Sequence, residues 1–189
     1  MTTTDTQLAT NPLRTLYLTR FGFAIAWVLL LIVSSTALDT ATTLGPLTAV
    51  LLVAYPLFDV AAAVVDRRSS HPATAPSALL VLNMALSLLA AIGLGVAVPT
   101  GTSSVLVVWG LWAITAGAVQ LVVGLRRWAL GGQWAMIASG GISVLAGIGF
   151  IAQSRGTGSL TILAGYAALG GIFFLVSALR LRRVAGRAA

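Results

Sequence analysis

WAMIASGGISVLAGIGFIA (134–152), the turn QSRGTGS (153–159) and LTILAGYAALGGIFFLVSAL (160–179), stopped by RLRR (180–183), read as two apolar arms joined by a polar turn. The arms hold 19 and 20 residues without a formal charge. At 1.5 Å rise per residue each arm covers the roughly 30 Å of bilayer hydrocarbon. The stretch is therefore a transmembrane helical hairpin, and the preceding sequence repeats its pattern twice.

Composition agrees with that reading. The chain of 189 residues is 58% hydrophobic and 8% charged, against about 25% charged residues in an average soluble domain, which makes a polytopic membrane protein the expected class. It has no cysteine and one histidine, His71. Disulfides, thiolate nucleophiles and Cys or His metal cages are excluded on that count, and no metal or cofactor is expected. All 11 basic residues are arginine, and the acids are Asp5, Asp39, Asp59 and Asp66. The net charge of +7 is carried at the ends of apolar runs, a placement of topology signals and lipid-headgroup contacts rather than of a nucleic-acid surface.

From the N-terminus, residues 1–20 form a polar segment ending at Arg14 and Arg20, and the apolar run from Phe21 to Leu38 is helix 1. A cleaved signal with its site at Ser35-Thr36-Ala37 is the rival reading, but the run exceeds an h-region and has a hairpin partner. Helix 2 covers 47–65 and stops at Asp66-Arg67-Arg68, before the loop SSHPATAPS, whose prolines exclude regular helix. Helix 3 covers 78–98, PTGTSS turns the chain, helix 4 covers 105–125, and RRWALGGQ leads into the final hairpin. No segment alternates with period 2, so barrel strands are excluded. The expected fold is all-α, with six transmembrane helices as three hairpins (about 21–65, 78–125 and 134–179), one membrane domain over 21–183 and a tail at 184–189.

Arg14, Arg20, Arg67, Arg68, Arg126, Arg127, Arg180, Arg182, Arg183 and Arg187 fall on one side and Arg155 on the other. The positive-inside rule puts the side rich in arginine, with both termini, in the cytoplasm. Arg67, Arg68, Arg126, Arg127, Arg182 and Arg183 are expected to orient the chain and touch lipid headgroups.

The hairpins repeat. GTSSVLVVWG (101–110) aligns with GTGSLTILAG (156–165), and Leu125-Arg126-Arg127 with Leu181-Arg182-Arg183. Asn83, Ser87, Ala91 and Gly95 in helix 3, and Ser139, Ser143 and Gly147 in helix 5, form stripes of small residues at four-residue spacing. Such stripes let helix backbones approach closely in lipid.

The segment GGQWAMIASGGISVLAGIGFIAQSRGTGSLTILAGYAALGGIFFLVSALRLRR resembles the HdeD-like family of small bacterial inner-membrane proteins, whose repeat runs W, G-hydrophobic-S, hydrophobic-G, an outer turn, G-Y-A, G-hydrophobic, A-hydrophobic-R. Tyr55-Pro56-Leu57-Phe58-Asp59-Val60 is similar to that family's Y-A-hydrophobic-hydrophobic-D-G stretch, with Pro56 for Ala and Val60 for Gly. The resemblance covers residues 20–183. It implies a six-helix inner-membrane protein associated with acid-stress resistance, without a defined biochemical activity or a catalytic motif.

Asp59 is the one acid well inside an apolar helix, seven residues before Asp66 and thus about 10 Å below the helix end. A carboxylate there costs about 2.5–3.5 kcal/mol on insertion scales, so it needs a partner, water or a proton. Asn83, Ser139 and Gln120 lie at the same depth in helices 3, 5 and 4. One reading is a proton-responsive pocket built on Asp59, Asn83, Gln120 and Ser139. The other is interhelical hydrogen bonding that fixes packing, at about 0.6 kcal/mol per contact. His71 sits in the proline-rich loop, where a solvated side chain is the plain expectation and a pH sensor the sharper one.

The function expected on these grounds is that of a non-enzymatic integral inner-membrane protein in envelope or acid-stress tolerance. Its expected partners are membrane lipids and other membrane proteins or further copies of itself, with no nucleic acid. The alternative is a small proton-coupled transporter or channel using Asp59.

Overall fold

A computed structural model describes residues 3–37, 44–69, 77–130, 133–156 and 158–187, and side-chain surroundings for 12–36, 44–68, 78–129, 133–156 and 158–181. His71, the tail beyond 187 and the side chains of Arg182 and Arg183 lie outside what is described. The helices are α1 (Thr3–Ala37), α2 (Pro46–Ser69), α3 (Ser77–Ala97), α4 (Thr102–Arg126), α5 (Trp134–Gln153) and α6 (Thr161–Arg187), with short 3-10 turns at Val98–Thr100 and Trp128–Leu130. There is no strand among the described residues. All six helices are long and apolar enough to cross a membrane, and the chain is an all-α polytopic membrane protein.

Its outer surface has the inverted polarity that lipid requires. Leu30, Val33, Val50, Leu89, Ile92, Val96, Leu111, Leu145 and Ile148 are exposed, whereas most of the polar side chains in the spans face inward. A transmembrane helix must satisfy every backbone group internally, and long unbroken helices do so. The chain reverses where that is abandoned: Pro99 and Gly101, the latter with φ of +103°, form the α3–α4 turn, a conformation natural to glycine.

Three helix ends differ from the sequence expectation. The segment 1–20 is not a separate polar arm, since α1 is helical from Thr3 and its apolar span begins at Pro12. Leu13, Leu16 and Tyr17 cause this: at spacings of three and one they share a face, and all three are buried against Ala62, Met136, Ala178 and Leu181. Helix α2 runs through Asp66-Arg67-Arg68 to Ser69, and α6 continues past Arg180.

The helices form a ring in which spatial order follows chain order and α6 closes on α1. The most extensive contacts are α4 with α5, α1 with α6 and α2 with α3. Each of these pairs joins the second helix of one hairpin to the first of the next, so the hairpins of the sequence are the looser pairs.

Between α4 and α5 the approach is set by glycine. A Cβ on Gly147 would stand 2.5 Å from the Gly110 carbonyl oxygen, and one on Gly140 2.7 Å from that of Gly117. Gly110, Gly117 and Gly124 recur every seven residues and meet Gly147, Gly140 and Ile137 in antiparallel order, which keeps one glycine face toward the partner for three turn pairs. Gly95, at the end of the α3 stripe, instead has open space around it.

Inside the ring, the half bearing the α1–α2, α3–α4 and α5–α6 turns is packed solid with Trp27, Leu31, Leu52, Leu94, Leu106, Trp109 and Leu163. Trp27 stacks on Trp109 at 5.4 Å and meets Tyr55 edge-on at 4.7 Å. Pro56 lacks the N–H that would serve the Leu52 carbonyl, and in the same loosened turn the Leu51 carbonyl accepts a 2.7 Å bond from Trp27 Nε1.

Candidate functional site

The other half of the ring is not filled. Buried positions in α1 recur as 13, 16, 17, 24, 27, 28, 31 and 34, and in α2 as 48, 51, 52, 56, 62, 63 and 66. Spacings of three and four mark the stripe each helix turns toward its neighbours. Arg20 and Asp59 fall in the gaps of these two stripes. Two opposite charges thus occupy slots where the rest of the stripe is mostly apolar, and they meet each other at 3.0 Å.

Around them is a cavity of about 110 Å³ lined by all six helices. A water needs about 10–15 Å³ on this measure, so the space accommodates several. The inner end is formed by Tyr55, Trp112, Ser143 and Tyr166, and the outer end by Tyr17, Asp66, Arg127 and Gln133. Asp59, Asn83, Gln120 and Ser139, placed at one depth by the sequence, all lie on its wall.

The four are joined unequally. Asp59 Oδ2 accepts hydrogen bonds from Asn83 Nδ2 and from Ser87 Oγ, the latter at 2.8 Å, while Oδ1 faces Arg20. Ser87 Oγ in turn accepts from Trp112 Nε1 at 3.0 Å. Gln120 Nε2 donates instead to the Met136 carbonyl on α5 at 3.3 Å, apart from the Asp59 network. Ser139 lines the cavity one turn from Ser143, whose Oγ accepts from the Tyr166 hydroxyl at 3.0 Å. Arg20 is also seated over the Phe174 ring at 5.1 Å, a favourable placement for a cation.

A second ion pair, which sequence reading did not anticipate, stands at the outer end. Arg127 Nη1 and Nη2 donate to the two oxygens of Asp66, both at 2.8 Å. Arg127 was expected at the lipid headgroups. It is buried, with its side chain 3% exposed, because it follows Arg126 at the end of α4 and adjacent helical positions point about 100° apart. Arg126 takes the outward direction and is exposed, as are Arg67 and Arg68. Burial pushes the Arg127 guanidinium down, but the Asp66 hydrogen bonds and charge outweigh it and hold its pKa above the ordinary arginine value.

The residues that sequence reading missed are Arg20, Tyr17, Tyr55, Trp112, Asp66, Arg127 and Gln133. For Arg20 the stripe spacing was the available signal. The Asp66–Arg127 contact joins residues 61 positions apart and had none. Among the described residues no group of His, Asp and Glu is placed to hold a metal ion.

No family model, no curated protein and no solved structure matches the chain.

Proposed function

We propose that this chain is a non-enzymatic bacterial inner-membrane protein of the HdeD-like kind, with both termini in the cytoplasm, that binds a small polar solute within its six-helix ring. One observation carries the proposal: a cavity large enough for several waters, lined by Arg20, Asp59, Asn83, Gln120 and Ser139, lies inside the span of six transmembrane helices. Each charge held at that depth costs a few kcal/mol on insertion scales, and intramembrane charges facing a cavity mark solute and ion sites. Packing alone would be served by leucine in the slots of Arg20 and Asp59.

The test is thermal unfolding of the detergent-purified protein against a panel of small anions, cations, zwitterions and neutral polyols. At least one class is expected to raise the unfolding temperature as ligand linkage requires. If the whole panel leaves it unmoved, the proposal fails. A role in acid-stress tolerance predicts lower survival at low pH on deleting the gene, restored by wild-type protein and not by Asp59→Asn.

A second reading, a small transporter using Asp59, is favoured by the asymmetry of the ring, hollow at one end and sealed by the Trp27, Tyr55 and Trp109 rings at the other. One-sided access is the form of a carrier caught in one state. Reconstituted liposomes would show solute-driven flux under this reading and binding without flux under the first.

A further inference from the structure

The donor and acceptor inventory of the cavity narrows the class of solute. Its two carboxylates are engaged: Asp66 gives both oxygens to Arg127, and Asp59 receives Arg20, Asn83 and Ser87. Neither offers a cationic group an oxygen free of other donors. The donors are in surplus. A guanidinium carries five N–H groups, yet Arg20 meets Asp59 by one 3.0 Å contact, and its Nε is buried with no hydrogen-bond partner.

The contrast between the two arginines is internal to the structure. Arg127 makes a two-bond fork at 3% exposure, whereas the Arg20 and Asp59 side chains, at 15% and 14%, keep surface in the cavity. Nε itself has no accessible surface, so an incoming acceptor would meet the part of the Arg20 guanidinium that lines the cavity beyond its single contact to Asp59. The surroundings suit an acceptor with an apolar body: Phe23, Tyr55, Phe58, Trp112, Tyr166 and Phe174 form much of the wall. Exposed Arg67, Arg68 and Arg126 stand at the same end of the bundle, where their field concentrates anions.

We infer that the cavity is a site for a small organic anion, a monocarboxylate of a few carbons, whose carboxylate is received by Arg20 and whose apolar end lies among the aromatic rings. The inference rests on the solute-binding reading above and assigns its ligand class.

Intrinsic tryptophan fluorescence is a direct probe, since Trp112 lines the cavity. The full chain in lipid nanodiscs is titrated with acetate, butyrate, chloride, alanine, tetramethylammonium and glycerol. Acetate and butyrate are expected to give saturable changes, with butyrate binding more tightly. Arg20→Gln alone leaves Asp59 without its cation and can unfold the protein, so the decisive variant is the neutral pair Arg20→Gln with Asp59→Asn. It is expected to keep the wild-type melting profile and weaken carboxylate binding at least about tenfold, the usual scale of one charge-assisted hydrogen bond. Arg155→Gln, at the opposite end, is expected to bind as wild type.

Saturable binding of chloride without either carboxylate overturns the assignment. So does binding of alanine or tetramethylammonium in preference to acetate, or carboxylate binding unchanged in the neutral pair; in each case the solute site itself stands. A wild-type protein silent toward all six probes overturns the solute-binding reading as well.

Discussion

Arg126 and Arg127 are neighbours with identical side chains and opposite roles, and the difference is measurable. Arg127→Ala removes both hydrogen bonds to a buried Asp66 together with the charge that donates them, a loss of about 3–5 kcal/mol for one partner of a buried pair. Arg126→Ala changes an exposed position and is expected to stay within about 0.5 kcal/mol. Unfolding titrated with SDS in mixed micelles compares the two; equal losses would mean that the Asp66 pair contributes no stability. The pH behaviour follows in sign. Because the Arg127 pKa is raised above the ordinary arginine value, its stabilisation is fully present below that ordinary value and is lost only above the raised one. The arginine side therefore adds no slope to stability between roughly pH 6 and 9. At this scale the sequence was half legible. Asp59, Asn83, Gln120 and Ser139 could be placed at one depth by counting residues from helix ends. Arg20 and Arg127 were read as topology signals, since a charge beside an apolar run looks the same whether it points to lipid or to a partner far along the chain.

At the scale of helices, the glycine contacts between α4 and α5 make the sharpest claim. Gly147→Ala would put a methyl 2.5 Å from the Gly110 carbonyl oxygen, a backbone atom that cannot swing aside. A loss of about 1–3 kcal/mol is expected, the usual cost of overpacking. Gly165→Ala, at the position the repeat equates with Gly110, meets open space and is expected to be neutral or stabilising by up to about 1 kcal/mol through helix propensity. The same SDS titration separates them, and a Gly147→Ala protein as stable as wild type would show that the helices do not need this approach. Helix number, type and most boundaries followed from apolar run length alone. The pairing did not, since hairpins suggest that adjacent helices pack most closely. The seven-residue recurrence of Gly110, Gly117 and Gly124 was the cue that α4 is matched to α5.

For the whole molecule, the absence of cysteine makes single-cysteine reporters unambiguous. Arg155→Cys lies in the exposed α5–α6 turn and Arg68→Cys at the exposed end of α2. The proposed orientation, with both termini in the cytoplasm, predicts that a membrane-impermeant maleimide added to intact cells labels the first and reaches the second only after permeabilisation. The reverse pattern would invert the orientation. The closed ring also has a consequence for synthesis. Of the six helices α1 leaves the ribosome first, and α6, one of its most extensive partners, last. Until α6 inserts, the face of α1 bearing Leu13, Leu16 and Tyr17 lacks Ala178 and Leu181 and stays partly open to lipid, to an insertase or to a neighbouring copy. Ring closure thus waits for the sixth helix, and the partly made ring is the form in which exchange between nascent chains can occur.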